Sequence, residues 1–200
     1  DDVVDVIIED ADQNLLSMAG IAEDTFSPPG RAARRRIVWL GLNLITTFIA
    51  ALAINIFQDA IDKIVYLAVL MPIVASMGGV AATQTLTITV RGLALGQIVK
   101  ANYLYLFNRE LIVGISNGFL WAVILSLIAC TWFQDWLLAW VICLSMIINL
   151  TAGVLSGMGI PILLRSLKLD PAVAGSVIVT TVTDVIGFFS FLGLASYFYS

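Results

Sequence analysis

The chain has 200 residues, of which 60% are hydrophobic and 12% are charged, and its mean hydropathy is +1.00. Its apolar runs reach the length of about 20 residues that crosses a bilayer, which excludes an ordinary soluble domain. Because these runs are continuous rather than alternating, they favour membrane helices over a β-barrel. The absence of histidine excludes a transition-metal site built on imidazole, and the net charge of −4 argues against a nucleic-acid partner.

The first 30 residues differ from the apolar remainder. Residues 1–22 are predicted to form an amphipathic helix, with acids on one face and apolar side chains at helical spacing on the other. This helix is either a solvated element docked on a neighbour or a regulatory one. The Ser-Pro-Pro-Gly segment at 27–30 ends it, so we divide the chain into a connecting helix with linker, 1–30, and a membrane domain, 31–200. Since the sequence opens without Met and within a helical pattern, we expect a fragment of a longer protein.

Five membrane spans are predicted, over residues 37–57, 64–90, 111–133, 137–164 and 173–199. The 91–110 segment mixes basic and apolar residues and is predicted to be an interfacial helix or a re-entrant connection. With a cytoplasmic N-terminus, Lys63 is the only one of the 10 Lys and Arg residues placed outside. The positive-inside rule therefore predicts an all-α, multi-pass protein of the inner or plasma membrane, in contact with lipid, with its C-terminus outside.

Asp184 is the acid placed deepest in a predicted span. A charge at that depth costs about 2.5–3.5 kcal/mol on insertion scales. Ser176, Thr180, Asp184 and Gly187 are spaced by three or four residues and share one helix face, a polar stripe typical of a water-filled path. No Lys or Arg lies at matching depth, so a bound cation is the expected partner. The alternative is a membrane anchor in which Asp184 bonds a neighbouring helix or is held neutral.

The second predicted span contains Pro72 and the pair Gly78 and Gly79, which favour a kink or an unwound turn. Backbone groups freed at this depth must be buried in protein or face a water-filled cavity. Four further polar side chains extend the same region: Ser76, Thr83, Thr87 and Gln84. We therefore expect this span to line the path together with the span of Asp184.

Other patterns in the spans indicate packing. Glycines at four-residue spacing are predicted to let helices approach closely, and they occur in two spans as Gly114 with Gly118 and Gly153 with Gly157. Cys130 and Cys143 lie in apolar segments and are expected to pack. No nucleophile–base pair or metal-ligand cluster occurs in the sequence, so an enzyme is not expected.

One carboxylate per chain matches the charge of a divalent ion poorly. A two-fold dimer with the path on its axis would bring two copies of Asp184 together. Mg²⁺ dehydrates reluctantly, keeps several waters and needs only one or two carboxylates, so it suits this sequence better than Ca²⁺ or a transition metal.

These residues resemble motifs of the MgtE family of Mg²⁺ channels, related to the solute carrier 41 transporters. Asp170-Pro171-Ala172 is similar to the family's DPA element, and residues 180–187, TTVTDVIG, to its TTxxDxxG element. Residues 72–91 are similar to its P…GGNxGxQ…R segment, although Val80-Ala81-Ala82 replaces the family's frequent Asn-x-Gly. The opening DDVVDVIIEDA resembles the end of a cystathionine-β-synthase-type domain and the acidic connecting, or plug, helix.

The resemblance implies a homodimer that conducts hydrated Mg²⁺ through a pore between subunits, with Asp184 recognising the ion and Asp170 at the cytoplasmic mouth. It implies that cytosolic Mg²⁺, as a regulatory ion, binds Asp2, Asp5 and Asp10 and closes the pore, and that N-terminal and cystathionine-β-synthase-type domains are missing from this chain. The expected pore lining comprises Ser176, Thr180, Thr181, Gly187, Ser76, Gly78, Gly79, Thr83 and Gln84. A proton- or Na⁺-coupled divalent-cation carrier is the alternative function.

Overall fold

The protein is described by a computed structural model that covers residues 28–169 and 171–199, without the side chains of residues 31, 32, 35 and 172–174. The predicted amphipathic helix, with Asp2, Asp5 and Asp10, lies outside the described residues, as does Asp170. Within these ranges the secondary structure is helical: α1 Pro29–Ile56, α2 Gln58–Lys63, α3 Tyr66–Ala94, a 3₁₀ turn Lys100–Asn102, α4 Tyr103–Phe133, α5 Trp136–Ser166 and α6 Pro171–Phe198.

Five of these helices, α1, α3, α4, α5 and α6, are long and apolar enough to cross a membrane. The prediction of an all-helical protein with five spans is thereby confirmed, and the protein is a multi-pass membrane protein. The orientation of the spans stays a prediction from the distribution of basic residues.

Local chemistry accounts for several helix ends. Pro29 occupies the first turn of α1, where a missing N–H costs nothing. Asp135 caps α5, because its Oδ1 accepts hydrogen bonds from the amides of Leu137 at 2.8 Å and Leu138 at 3.1 Å. Gly96, with a φ of 66°, follows the end of α3 and turns the chain toward the 3₁₀ turn.

Two expectations for this part of the chain are corrected. The 91–110 segment is not one interfacial helix, since residues 91–94 complete α3 and residues 103–110 begin α4. From hydropathy, the third span is predicted to begin at residue 111, after Arg109 and Glu110. In the structure both residues lie within α4, and their side chains form an ion pair at 2.9 Å. The second correction concerns α3, which is a continuous helix through Pro72, Gly78 and Gly79, so an unwound turn is absent between 66 and 94, while the alternative, a kink, stays a prediction.

Helix α5 is the centre of the bundle and packs against α3, α4 and α6, while α1 lies at the periphery and packs mainly on α6. The core is apolar and is built from side chains of five helices, α2 to α6, among them Leu67, Val74, Leu138, Val141, Ile142, Met146, Phe191 and Leu192. Arg165 near the end of α5 donates from Nη1 to the carbonyl of Leu93 at 2.9 Å. This bond fastens the end of α3 to the centre.

Close helix approach at the paired glycines is confirmed. A Cβ added at Gly114 would lie 3.2 Å from Cα of Thr151, so α4 contacts the backbone of α5 there. On the other side of α5, a Cβ at Gly153 would lie 2.6 Å from the carbonyl oxygen of Gly78, and a Cβ at Gly157 would lie 2.4 Å from that of Ala82. Helix α3 is therefore held at backbone distance from α5.

Candidate functional site

An open groove of about 490 Å³ runs between α3 and α6. Its α3 wall repeats at helical spacing, and its α6 wall is contributed by two residues one turn apart. The lining residues are Ala75, Ser76, Gly79, Val80, Thr83, Gln84, Thr87, Thr180 and Asp184. The polar stripe predicted on the last span and the polar residues predicted on the second span therefore meet in one groove.

The threonine hydroxyls of the groove are oriented by their own helices. Thr83 Oγ1 donates to the carbonyl of Gly79 at 2.8 Å, Thr87 Oγ1 to that of Thr83 at 2.9 Å, and Thr180 Oγ1 to that of Ser176 at 2.9 Å. Each hydroxyl proton is thereby occupied, and the oxygen lone pairs remain available on the groove side. A surface of acceptor oxygens suits water molecules that themselves bind a cation.

Asp184 is the one acidic residue lining the groove, and its side chain is half-buried. Arg109 and Glu110 on α4 form an ion pair, and none of the Lys and Arg side chains that the structure describes is paired with Asp184. Its charge is therefore left for a mobile partner. A carboxylate beside an open polar groove attracts cations, because a half-buried charge is screened less than an exposed one.

The remaining predicted lining residues lie beside or behind the groove. Ser176 and Thr181 are half-buried on α6, and Thr181 Oγ1 donates to the carbonyl of Val177 at 2.7 Å. Gly78 and Gly187 are buried and face the side chain of Asn149 on α5. Neither of these glycines is among the residues that line the groove within one chain.

Asn149 and Glu110 are buried polar residues that sequence reasoning missed. Asn149 is fully buried in the middle of α5, and the signal that could have identified it is a lone amide in a long apolar span. Glu110 is 4% exposed on α4, although the sequence placed it in a connection before the span. An acid next to an arginine at a span boundary gave no sign of burial.

A single chain does not form a metal cage in the part that the structure describes, where no group of three or more His, Cys, Asp or Glu side chains comes together. One carboxylate with hydroxyl, amide and backbone oxygens nearby can hold a hydrated ion through its waters. It does not supply the six to eight direct oxygen ligands that Ca²⁺ takes.

Comparison with known proteins places this geometry in context. Residues 71–194, which contain both walls of the groove, match the family model MgtE, described as a divalent cation transporter. The chain is 35% identical over 200 residues to the magnesium transporter MgtE of Bacillus subtilis. It is 29% identical over 199 residues to that of Enterococcus faecalis and 27% identical over 199 residues to that of Thermus thermophilus. These alignments cover 98–99% of this chain but 44% of each relative, so the chain spans less than half the length of the curated relatives it matches.

Proposed function

Because the chain belongs to the MgtE family of divalent cation transporters, we propose that it conducts Mg²⁺ as a channel, through a pathway between α3 and α6 at a homodimer interface. The observation that carries this proposal is Asp184, a half-buried carboxylate beside an open polar groove and without a cationic partner among the described side chains. The names of the relatives, which are magnesium transporters, support Mg²⁺ as the transported ion.

Charge balance supports the dimer. One Asp184 supplies −1 against an ion of +2, and a two-fold axis along the open side of the groove would bring a second Asp184 to the same ion. The threonine oxygens would then accept hydrogen bonds from the water shell that Mg²⁺ retains. The groove is open on the side that this arrangement would close.

The walls of the groove would form the lining of the pathway. Ser76, Gly79, Thr83 and Gln84 would line it from α3, and Thr180 with Asp184 from α6. We propose that Ser176 and Thr181 join this lining when the second subunit is present. Val80, which is 53% exposed, occupies a groove position where an amide is frequent in the family that the sequence resembles.

The remaining parts of the proposal concern regulation and orientation. Basic residues flank one end of the spans, which supports a cytoplasmic N-terminus and a C-terminus outside. In that orientation Asp170 would lie at the cytoplasmic mouth. Asp2, Asp5 and Asp10 would bind cytosolic Mg²⁺ and close the pathway, with the regulatory domains of the complete protein on the same side.

The test is Mg²⁺ uptake by the complete gene product in a strain that lacks its own Mg²⁺ uptake. Removing the charge with Asp184→Asn removes a charge-assisted contact worth about 1.5–3 kcal/mol, so we expect uptake to fall by roughly ten- to a hundredfold. Asp62→Asn, at an exposed acid of α2, is the matched control and should leave uptake unchanged. Uptake by Asp184→Asn and Asp184→Ala at the wild-type level would exclude the proposed site.

A flux measurement in proteoliposomes separates the channel from a coupled carrier. Mg²⁺ flux driven by the membrane potential should persist when the proton and Na⁺ gradients are abolished. Flux that stops without either gradient would replace the channel with the carrier, in which Asp184 would exchange a proton or Na⁺ for the divalent ion.

A further inference from the structure

Asn149 is a fully buried amide at the point where α3, α5 and α6 meet. Its Nδ2 donates to the carbonyl of Val74 on α3 at 2.7 Å. Its Oδ1 is buried and has no hydrogen-bond partner in the described part of the chain. Such an acceptor costs about 1–3 kcal/mol, which an alanine or leucine at this position would avoid.

The amide contacts both walls of the groove from behind. A Cβ added at Gly78 on α3 would lie 2.2 Å from Nδ2 of Asn149, and a Cβ added at Gly187 on α6 would lie 2.8 Å from the same atom. A side chain at either glycine is therefore incompatible with Asn149 in its present position. The amide fills the space that these two glycines leave.

Both contacts lie within a turn of groove residues. Val74 and Gly78 flank Ser76 on α3, and Gly187 is three residues from Asp184 on α6. At the level of Asp184 the direct contact between the two helices is loose, since a Cβ at Gly79 would lie 3.9 Å from Oγ1 of Thr183, whereas a closer direct contact occurs farther along, where a Cβ at Gly175 would lie 3.0 Å from Cδ1 of Leu86. Near Ser76 and Asp184, Asn149 thus links the α3 wall to the helix that carries Asp184.

The hydrogen bond from Asn149 to Val74 belongs to a series of contacts between α5 and α3 that repeats every four residues. Asn149, Gly153 and Gly157 follow each other by four residues on α5, and they face the carbonyls of Val74, Gly78 and Ala82, which also follow each other by four. At the two glycines the backbones themselves approach closely. At Asn149 a side chain takes over the contact, and it alone of the three reaches α6 through Gly187 as well.

We propose that Asn149 is a positioning residue that sets the separation between the α3 wall and Asp184, and thereby the affinity and selectivity of the groove for Mg²⁺. This inference rests on the proposed function, because it assumes that ions pass Asp184. A wall that shifts by a few tenths of an ångström changes how well a hydrated ion of fixed size is held between carboxylate and hydroxyl oxygens.

The experiment measures Mg²⁺ flux in proteoliposomes of the complete gene product, with competition by Ca²⁺ and Co²⁺. Asn149→Leu keeps the number and branching of the side-chain heavy atoms and removes the hydrogen bond. We expect its KM for Mg²⁺ to rise roughly three- to tenfold, the range that one lost hydrogen bond gives, and its discrimination against the competing ions to fall by a similar factor. The control is Ser145→Ala, one turn away on α5, where an equally buried hydroxyl bonds its own helix at Val141. Its KM and discrimination should not change.

A second pair of variants distinguishes the effect of the lost hydrogen bond from the effect of altered packing. This pair tests the inference even if Asn149→Leu fails to fold. Gly78→Ala alone should lower the yield of folded protein, because the new methyl group meets Asn149, and adding Asn149→Ala should restore the yield. If the hydrogen bond sets the geometry, the restored double variant keeps the raised KM and the weakened discrimination. Wild-type KM and discrimination in the double variant, or in Asn149→Leu, would overturn the inference.

Asp184→Asn measured in parallel distinguishes the two levels of failure. If Asp184→Asn lowers flux by the expected factor while the Asn149 variants keep wild-type KM and selectivity, the proposed function stands and the role of Asn149 falls. If Asp184→Asn transports normally, the pathway does not pass this residue and both proposals fall.

Discussion

At the scale of single residues, Asp135 serves three hydrogen bonds at the turn between α4 and α5. One carboxylate oxygen caps α5, and the other accepts from the hydroxyl of Tyr199, just beyond the end of α6. Burial and this hydrogen bond raise the pKa of Tyr199 above its ordinary value of 10.0. A residue outside the apolar spans therefore connects the last helix to the centre of the bundle.

We expect Tyr199→Phe to lower the free energy of unfolding by about 1 kcal/mol near neutral pH, the usual contribution of one hydrogen bond. Since the folded-state pKa is raised, the stabilisation is fully present below about pH 10 and declines as the pH rises toward the folded-state value. The difference between wild type and variant should therefore narrow above pH 10 in thermal unfolding of detergent-solubilised protein. Tyr105→Phe, at a side chain that is 74% exposed, is the control. A difference that stays constant to pH 11 would contradict this account.

At the scale of elements, the backbones of α3 and α5 approach each other closely at Gly153 and Gly157. The glycines of α5 lie against carbonyl oxygens of α3 one turn apart, so the separation of these helices tolerates no added methyl group. Helix α3 contributes most of the residues that line the groove, whereas α5 contributes none. The glycines of α5 nevertheless set the position of α3, and therefore of this side of the groove.

Gly157→Ala and Gly159→Ala form a matched pair for this contact. A Cβ at Gly157 would lie 2.4 Å from the carbonyl oxygen of Ala82, whereas a Cβ at Gly159 meets nothing within 4 Å. We expect Gly157→Ala to destabilise the protein by about 1–3 kcal/mol, as overpacking does, and Gly159→Ala to be neutral or slightly stabilising because alanine favours helix. The measurement is size-exclusion chromatography of each purified variant after heating, which gives the temperature at which half of the monodisperse peak is lost. An equal change in thermal stability for both variants would mean that α3 can move away from α5 without a cost in stability.

At the scale of the whole molecule, one chain leaves the groove that contains Asp184 and the threonine hydroxyls open on one side. Seven of the nine lining residues come from α3 and two from α6, and nothing in the described chain covers them. A polar face exposed to lipid is unfavourable, so a covering partner is expected. A second copy of the chain is the partner that would also complete the charge around the ion.

Cross-linking of the complete gene product tests this arrangement. In a background with Cys130 and Cys143 replaced by alanine, Thr87→Cys places a thiol in the groove, and Ile115→Cys places one at an exposed position of α4. A two-fold axis along the groove brings the two copies of residue 87 together, so a short thiol cross-linker in native membranes should give a dimer band with Thr87→Cys and little with Ile115→Cys. The reverse pattern would place the dimer interface on another face.

The sequence by itself determined the fold class, because continuous apolar runs and the lone acid within one of them depend on composition and period alone. Five spans, the polar stripe of Thr180 and Asp184, and the close approach at Gly153 and Gly157 all follow from such local patterns. The positions where spans begin followed less well, as Glu110 illustrates, because burial of an acid depends on the helices around it.

Only the tertiary structure decided which helices share the groove and what stands behind it. Hydrophobic period cannot rank Gly78 and Gly187 as contacts of Asn149 rather than as groove lining, because that distinction depends on how each helix is rotated about its axis and which neighbour it meets. An almost uniformly apolar span has no clearly polar or apolar face. The rotation of such a helix about its axis is therefore set by close packing between helices and by single polar contacts, such as the hydrogen bond from Asn149 to the carbonyl of Val74.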